Sequence, residues 1–247
     1  MSKKMRILTY NIFGVPWSRI NITKTADWIF STNANIICLQ EVFSIKHRLY
    51  LIERGEAEEY NAYYPSDNSC IPFFECGSGL LTLVKNTFRI TAPPRFESFQ
   101  NKHGADRCVQ KGYFIVHLSN GLHNFQIYNT HMQSDITEFW CWRINYDESR
   151  KEQERQLFVS TYANEFPIVV GDMNTFSFEC FEKVDACFHP TFPSTGEHLD
   201  NLLCLARDRS KIDHIETTYY DTISLSDHLP VVYTVDLLRR TGRSKLS

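Results

Sequence analysis

The segment Pro167-Ile168-Val169-Val170-Gly171-Asp172-Met173-Asn174 constrains the fold more than any other stretch of the chain. Three branched residues in a row after a proline read as a buried strand. The run stops at a carboxylate and an amide two positions apart, and side chains two apart on a strand share a face. Asp172 and Asn174 would then point together from the strand's end. Two readings stay open there: a turn in which short polar side chains bond the local backbone, or a site for a hydrated metal or a phosphate.

The same punctuation recurs along the chain. Residues 6–11 read as a first strand that leaves Asn11 at its exit, and Gly14 and Pro16 break it into a loop. Residues 23–33 carry Ala26, Ile29 and Phe30 at helical spacing, and residues 35–39 form a second buried run that ends at Gln40-Glu41. Glu41 also suits the first turn of a following helix, expected over 44–55, where an acid complements the helix dipole. Residues 60–79 look irregular, 79–84 strand-like, and 88–99 extended but confined to an edge by Pro93-Pro94. Residues 111–118 and 124–130 alternate around Ser119-Asn120-Gly121, a strong hairpin signal that delivers His131. Helices are expected over 147–164 and 176–188, and the last strands over 212–217 and 229–235.

With 247 residues and no repeat, low-complexity block or linker, the chain is expected to form one domain over 1–238 with a basic, mobile tail over 239–247. Hydrophobic residues at 43% and charged residues at 22% exclude extensive disorder. A net charge of -3 gives no global basic footprint for wrapping nucleic acid, although a local patch would serve a nuclease. The N-terminus has no apolar leader and no run approaches a membrane span, so a cytoplasmic location, or one peripheral to membranes, is expected. The eight cysteines show no paired ligand spacing, and most are expected to be reduced core residues, with Cys70 and Cys76 able to close a loop in an oxidising compartment.

Polar groups at several strand ends predict one cleft built from residues distant in sequence. The segments Thr9-Tyr10-Asn11, Leu39-Gln40-Glu41-Val42, Asn129-Thr130-His131, Val170-Gly171-Asp172-Met173-Asn174, Ile212-Asp213-His214-Ile215 and Ser226-Asp227-His228-Leu229-Pro230-Val231 carry them. In this order they resemble the endonuclease/exonuclease/phosphatase superfamily, magnesium phosphoesterases related to pancreatic deoxyribonuclease. The resemblance implies an α/β fold: a four-layer α/β/β/α sandwich of two mixed sheets flanked by helices. It implies Glu41 as the principal Mg²⁺ ligand, Asn11 beside the metal, and Asp227 adding or orienting a ligand, with Mn²⁺ able to substitute. It further implies His228 as general base or electrostatic partner, Asp213 fixing its tautomer, Asp172 orienting or deprotonating the attacking water, and Asn174 and His131 holding phosphoryl oxygens. The remaining histidines lack ligand spacing and read as surface or locally bonded side chains.

The superfamily includes nucleases, inositol-phosphate phosphatases and sphingomyelinases, so the core motifs leave the substrate open. The segment from Asp106 to Lys111-Gly112 resembles the Asp-x4-Lys-Gly segment of neutral sphingomyelinases, in which acid and lysine belong to an active-site switch. The plain alternative is an exposed ion pair worth little. Aromatics at Phe139-Trp140-Cys141-Trp142 and Ile71-Pro72-Phe73-Phe74 suit a bilayer interface, a nucleobase or a core. The expected function is a Mg²⁺-dependent phosphodiesterase that acts as a monomer on a membrane-surface phospholipid and releases phosphocholine from sphingomyelin or a relative. The alternatives are a nuclease or DNA-repair phosphodiesterase with nucleic acid as partner, an inositol-phosphate phosphatase, and a non-catalytic binding domain.

Overall fold

Short apolar runs alternating with amphipathic stretches build, among the described residues, two six-stranded sheets, a small two-stranded pair and three α-helices. The computed structural model describes residues 4–15, 18–66, 75–137, 143–162, 164, 166–186, 188–221 and 225–238. In chain order the elements are β1 (Met5–Asn11), α1 (Ile22–Ser31), β2 (Ile36–Gln40), α2 (Ile45–Ala57), β3 (Tyr60–Tyr63), β4 (Leu81–Lys85), β5 (Arg89–Ser98), β6 (Gly112–Ser119), β7 (Asn124–His131), β8 (Ile136–Thr137), β9 (Arg143–Ile144), α3 (Asp147–Tyr162), β10 (Pro167–Asp172), β11 (Glu182–Lys183), β12 (Asp200–Cys204), β13 (Ile212–Tyr219) and β14 (Val231–Leu237). One sheet has the order β13-β14-β1-β2-β4-β3, the other β11-β12-β10-β7-β6-β5. Both are mixed: β1 is parallel to β2 and antiparallel to β14, and β10 is parallel to β7 and antiparallel to β12.

Side-chain alternation decides the layers. On β1, Met5 and Ile7 enter the core between the sheets. Leu8 and Tyr10 point the other way and meet Ala26, Ile29, Phe30 and Leu51 of α1 and α2. On β10, Ile168 and Val170 face the opposing sheet, while Val169 packs with Leu157 of α3. Each such fully buried side chain contributes roughly 1.5–3 kcal/mol. The outcome is the four-layer sandwich that the motifs implied.

The same parity carries polar groups to one end of the space between the sheets. Asn11 continues the inward row of Met5 and Ile7, Asp172 that of Ile168 and Val170, and His131 that of Phe125 and Ile127. Just beneath them a buried amide pair joins the sheets. Gln40 Nε2 donates to Asn129 Oδ1 at 2.8 Å, and Asn129 Nδ2 donates to the carbonyls of Leu39 at 3.2 Å and Leu81 at 3.1 Å. Gly171 lets the parallel strands close up: at φ 147°, an added Cβ would lie 2.0 Å from the Thr130 carbonyl oxygen. Any other residue there would part β7 from β10 directly below Asp172.

Three expectations need correction or completion. The described residues of 176–188 do not form a helix; they run irregularly, with Glu182 and Lys183 paired to β12 and the Val184 N–H donating to the Leu202 carbonyl at 3.0 Å. Phe181 belongs to the outer core and Val184 to the inter-sheet core, so the chain wraps a sheet edge, which one helical face could not do. Within 60–79, Tyr60–Tyr63 forms an edge strand against β4. Strand β12, buried at all five positions, arises from a stretch with no assigned element. The hairpin of β6 and β7 and the edge position of β5, with register shifts around Pro93-Pro94, are as expected. The tail, Cys70 and both aromatic segments lie outside the described residues. Cys38 and Cys204 are buried thiols. Among the described residues no helix is long and apolar enough to cross a membrane.

Candidate active site

Strand direction explains which residues meet. Parallel neighbours β1, β2, β7 and β10 leave the core at the same end and deliver Asn11, Glu41, His131 and Asp172. Antiparallel neighbours begin where those strands finish. Lys111 therefore precedes β6, Asp200 opens β12 and His228 lies just before β14 at that same end.

The contacts form one connected set around Asp172. Asn11 Nδ2 donates to Asp172 Oδ2 and to Glu41 Oε1, each at 3.0 Å. Asp172 Oδ2 lies 3.5 Å from His131 Nε2 and 3.6 Å from His228 Nε2. His228 Nδ1 is 2.8 Å from Asp200 Oδ2. On the other flank, the Lys111 ammonium donates to His131 Nε2 at 2.9 Å and to the Met132 carbonyl at 2.7 Å. It also sits 3.1 Å from Asp106 Oδ2, which accepts from the Ser134 backbone and hydroxyl at 2.8 and 3.0 Å. Asp106 is 7% exposed and Lys111 4%, so this is a buried pair inside the site and not a solvated ion pair.

Burial and neighbouring charge together set the protonation states. Burial and the Lys111 ammonium push His131 down to about 3. Since an ammonium can only donate, His131 Nε2 is the acceptor and its proton sits on Nδ1, which has no hydrogen-bond partner among the described residues. For His228, burial opposes charge, but Asp200, Asp172 and Asp227 outweigh it and raise the imidazole to about 10. Burial likewise opposes charge on Asp172, yet His228, Lys111 and the Asn11 amide hold its carboxyl below the usual range. Glu41 differs: burial pushes it up to about 7 despite help from Asn11, Lys111 and His228.

Glu41 is also conformationally unusual, standing outside both β2 and α2 at φ 57°. Its backbone is enclosed by two glycines. A Cβ on Gly14 would lie 2.5 Å from the Glu41 carbonyl oxygen, and one on Gly79 would lie 3.1 Å from its Cα. A non-glycine residue in the left-handed region marks a functional constraint more often than chance. The helix-turn reading of Glu41 therefore gives way to a carboxylate aimed by its loop.

A divalent cation fits this carboxylate. Glu41 is held on one oxygen by an amide, keeps 17% side-chain exposure for cation-bound waters, and lacks a close charged partner that offsets its burial. Asp172, Asp200 and His228 also bring ligand atoms within 4.8 Å of one another. That trio fits less well. The imidazole proton already lies between His228 and Asp200, and Asp200 is fully buried, whereas magnesium keeps several waters.

The other expected residues are placed as follows. Asp227 is exposed at the rim, where Ser226 Oγ donates to Asp227 Oδ1 at 3.1 Å and to the Asn11 carbonyl at 2.7 Å. Asn174 has left the strand at φ 50°; its N–H donates to Asp172 Oδ1 at 2.9 Å and its Nδ2 to the Met132 carbonyl at 3.1 Å. The local turn and the site thus use the same residues. Beside Asn174 opens a cavity of about 400 Å³, walled by Asp135, Asp147, Arg150, Phe176 and Glu197 among others. Other histidines bond locally, as His214 does to Thr217 at 2.7 Å.

Asp213 does not reach the site. It is exposed near the start of β13 and pairs with Asp236 on β14, five residues beyond Val231, or about 17 Å of strand from the His228 end. Asp200 stands against His228 Nδ1 where Asp213 was expected. Its register partner is Asp172 itself. The signal was available in Leu199-Asp200-Asn201-Leu202-Leu203, an acid opening an apolar run, the reverse of the acid-after-strand pattern.

Residues 8–228 match the Endonuclease/Exonuclease/phosphatase family, and the chain belongs to that family. Proteins of this fold are generally metal-dependent phosphoester hydrolases. Solved structures of similar shape include sphingomyelinase C from Streptomyces griseocarneus, with TM-score 0.69 and 20% identity over 94% of this chain and 99% of that one. They also include D. rerio TDP2 complexed with single strand DNA product, with TM-score 0.71 and 14% identity over 94% and 99%. A third is an endonuclease/exonuclease/phosphatase from Beutenbergia cavernae, with TM-score 0.74 and 15% identity over 96% and 72%. At these identities the likeness speaks to the fold alone. No curated protein sequence matches the chain significantly.

Proposed function

We propose that the protein is a Mg²⁺-dependent phosphodiesterase that cleaves sphingomyelin or a related phospholipid at a membrane surface and releases phosphocholine. The observation that carries the lipid reading is the burial of Asp106 and Lys111 against His131, within the cluster that holds Asp172.

In this scheme Asp172, kept ionised, accepts a hydrogen bond from the attacking water and takes its proton as the water oxygen bonds to phosphorus. His228, doubly protonated, presents Nε2–H to a phosphoryl oxygen, so its electrostatic role is favoured over that of a base. Asp200 keeps the other imidazole proton on Nδ1 and thereby fixes the ring. Glu41, with Asn11 and Asp227 nearby, would hold the cation, which would offset phosphoryl charge and stabilise the departing alkoxide. Asn174 would hold a phosphoryl oxygen. His131, with Nε2 occupied by Lys111, supports the wall of the site and is not assigned a phosphoryl contact.

The test is a Mg²⁺-dependent panel run in parallel on sphingomyelin, lysophosphatidylcholine, DNA and an inositol phosphate. Phosphocholine release that EDTA silences is expected. DNA cleavage without phosphocholine release would overturn the substrate in favour of a nuclease, and turnover that survives EDTA would remove the cation.

A further inference from the structure

The loop between β11 and β12 carries a threonine that the hydrolytic scheme leaves unused. Thr191 is fully buried. Its Oγ1 accepts from two consecutive backbone N–H groups, those of Leu199 at 2.9 Å and Asp200 at 3.0 Å. Its carbonyl accepts from the N–H of Leu229, the residue after His228, at 2.7 Å. A single residue thus grips both sides of the Asp200–His228 hydrogen bond, one through its side chain and the other through its backbone. The loop is closed on itself, since the N–H groups of Thr191 and Phe192 both donate to the Glu197 carbonyl at 2.9 Å. Phe192 lays its ring 4.8 Å from the His228 imidazole, tilted by 46°. Packing alone would be met by valine, which has the same shape but would leave two buried donors unpaired.

We infer that Thr191 is a positioning residue of the hydrolytic pair: its hydroxyl fixes the start of β12 so that Asp200 meets His228, and Phe192 covers the imidazole face. The inference rests on the hydrolase reading for its effect on turnover, but not for its effect on the hydrogen bond. That bond spans 2.8 Å between side chains on two different strand ends, so a small shift of β12 breaks it. A misplacement of about 1 Å remote from the chemistry can cost on the order of 10²-fold in rate.

The experiment uses the full chain with Thr191→Val and Thr191→Ser. Two readouts are taken: kcat and KM on the phosphodiester that the panel identifies, and the downfield NMR resonance of the His228 Nδ1 proton at fixed pH, assigned by its loss in His228→Gln. Thr191→Val is expected to lower kcat by about tenfold to 10²-fold with KM little changed, and to lose or broaden the resonance. Thr191→Ser, which keeps both bonds, should retain the resonance and most of kcat. Wild-type kcat and resonance in Thr191→Val, or equal impairment in both variants, overturns the inference. Should Thr191→Val fail to fold, Thr191→Ser decides alone: a folded serine variant with the resonance supports the inference, and one without it overturns it. If the wild type hydrolyses nothing in the panel, the hydrolase reading fails, and the resonance still tests the clamp.

Discussion

Two imidazoles flank Asp172 at nearly the same distance, 3.5 Å for His131 and 3.6 Å for His228, and both are buried. Their chemistry is opposite. His131 is driven down to about 3 and stays neutral, while His228 is raised to about 10 and stays charged. Burial acts in the same direction on both, so it does not distinguish them. The distinction comes from what else meets each ring: the Lys111 ammonium on the same Nε2 of His131 that faces Asp172, and the Asp200 carboxylate on the far nitrogen, Nδ1, of His228. One flank of the site is thereby a neutral wall and the other a fixed positive charge beside the Asp172 carboxylate.

The largest expected break in this contrast is Asp200→Asn. Without the carboxylate, His228 falls from about 10 toward the ordinary histidine value, and Asp172 loses the largest of the charges that hold its carboxyl down. Turnover should drop by about 10²- to 10⁴-fold, the usual worth of a positioned acid or base. Asp213→Asn, on an exposed strand, should leave both turnover and the His228 titration unchanged. If the two variants behave alike in kinetics and in histidine NMR, Asp200 is not the partner of His228.

The next break acts on the other flank. Lys111→Met leaves Asp106 buried beside an apolar side chain, and breaking a buried pair in this way costs about 3–5 kcal/mol. It also removes the cation on His131 Nε2, so the imidazole should rise from about 3, with burial still holding it below its ordinary value. Urea unfolding and histidine NMR measure the two effects. A His131 still depressed to the same extent in the folded variant would show that burial alone sets it, and the contrast would lose its cause.

Why the sequence located Asp172 but misassigned the partner of His228 is a matter of strand direction. Apolar runs that end in polar groups reveal residues leaving parallel strands, and Asn11, Glu41, His131 and Asp172 were legible in that way, whereas the four layers followed only from the family resemblance of the motifs. Asp200 enters an antiparallel strand, so its acid precedes the apolar run, and Ile212-Asp213-His214-Ile215 offered a better-looking motif at the wrong end of β13. The break of 176–188 was hidden for a related reason. Phe181 and Val184 have helical spacing, but they serve two cores on opposite faces of a sheet. Spacing cannot tell one face from two when a chain rounds an edge. Thr191 was invisible for a different reason, since its bonds go to backbone groups whose partners only the fold defines.

The smallest predicted effect is the pH dependence of stability. An unfolded histidine titrates near 6.5, and folded His228 near 10. Between those values the folded state holds a proton that the unfolded chain has released, so this contribution is complete below about 6.5 and is lost as pH rises toward 10. His131 works the other way: it is neutral when folded down to about 3, so its contribution is lost as pH falls below 6.5. Glu41, raised to about 7, holds a proton in the folded state that the unfolded chain has lost above about 4.5, so its contribution declines as pH rises to 7. Above pH 7 the His228 slope therefore stands apart from both, with a ceiling of about 1.4 kcal/mol per pH unit for one proton. Tyrosines and cysteines begin to titrate in the upper part of that range, and a comparison with Asp200→Asn cancels them. Urea midpoints at pH 7, 8 and 9 should fall more steeply in the wild type than in the variant. Equal slopes would mean that His228 sheds its proton in the folded site near its ordinary value, which would erase the difference between the two flanks of Asp172.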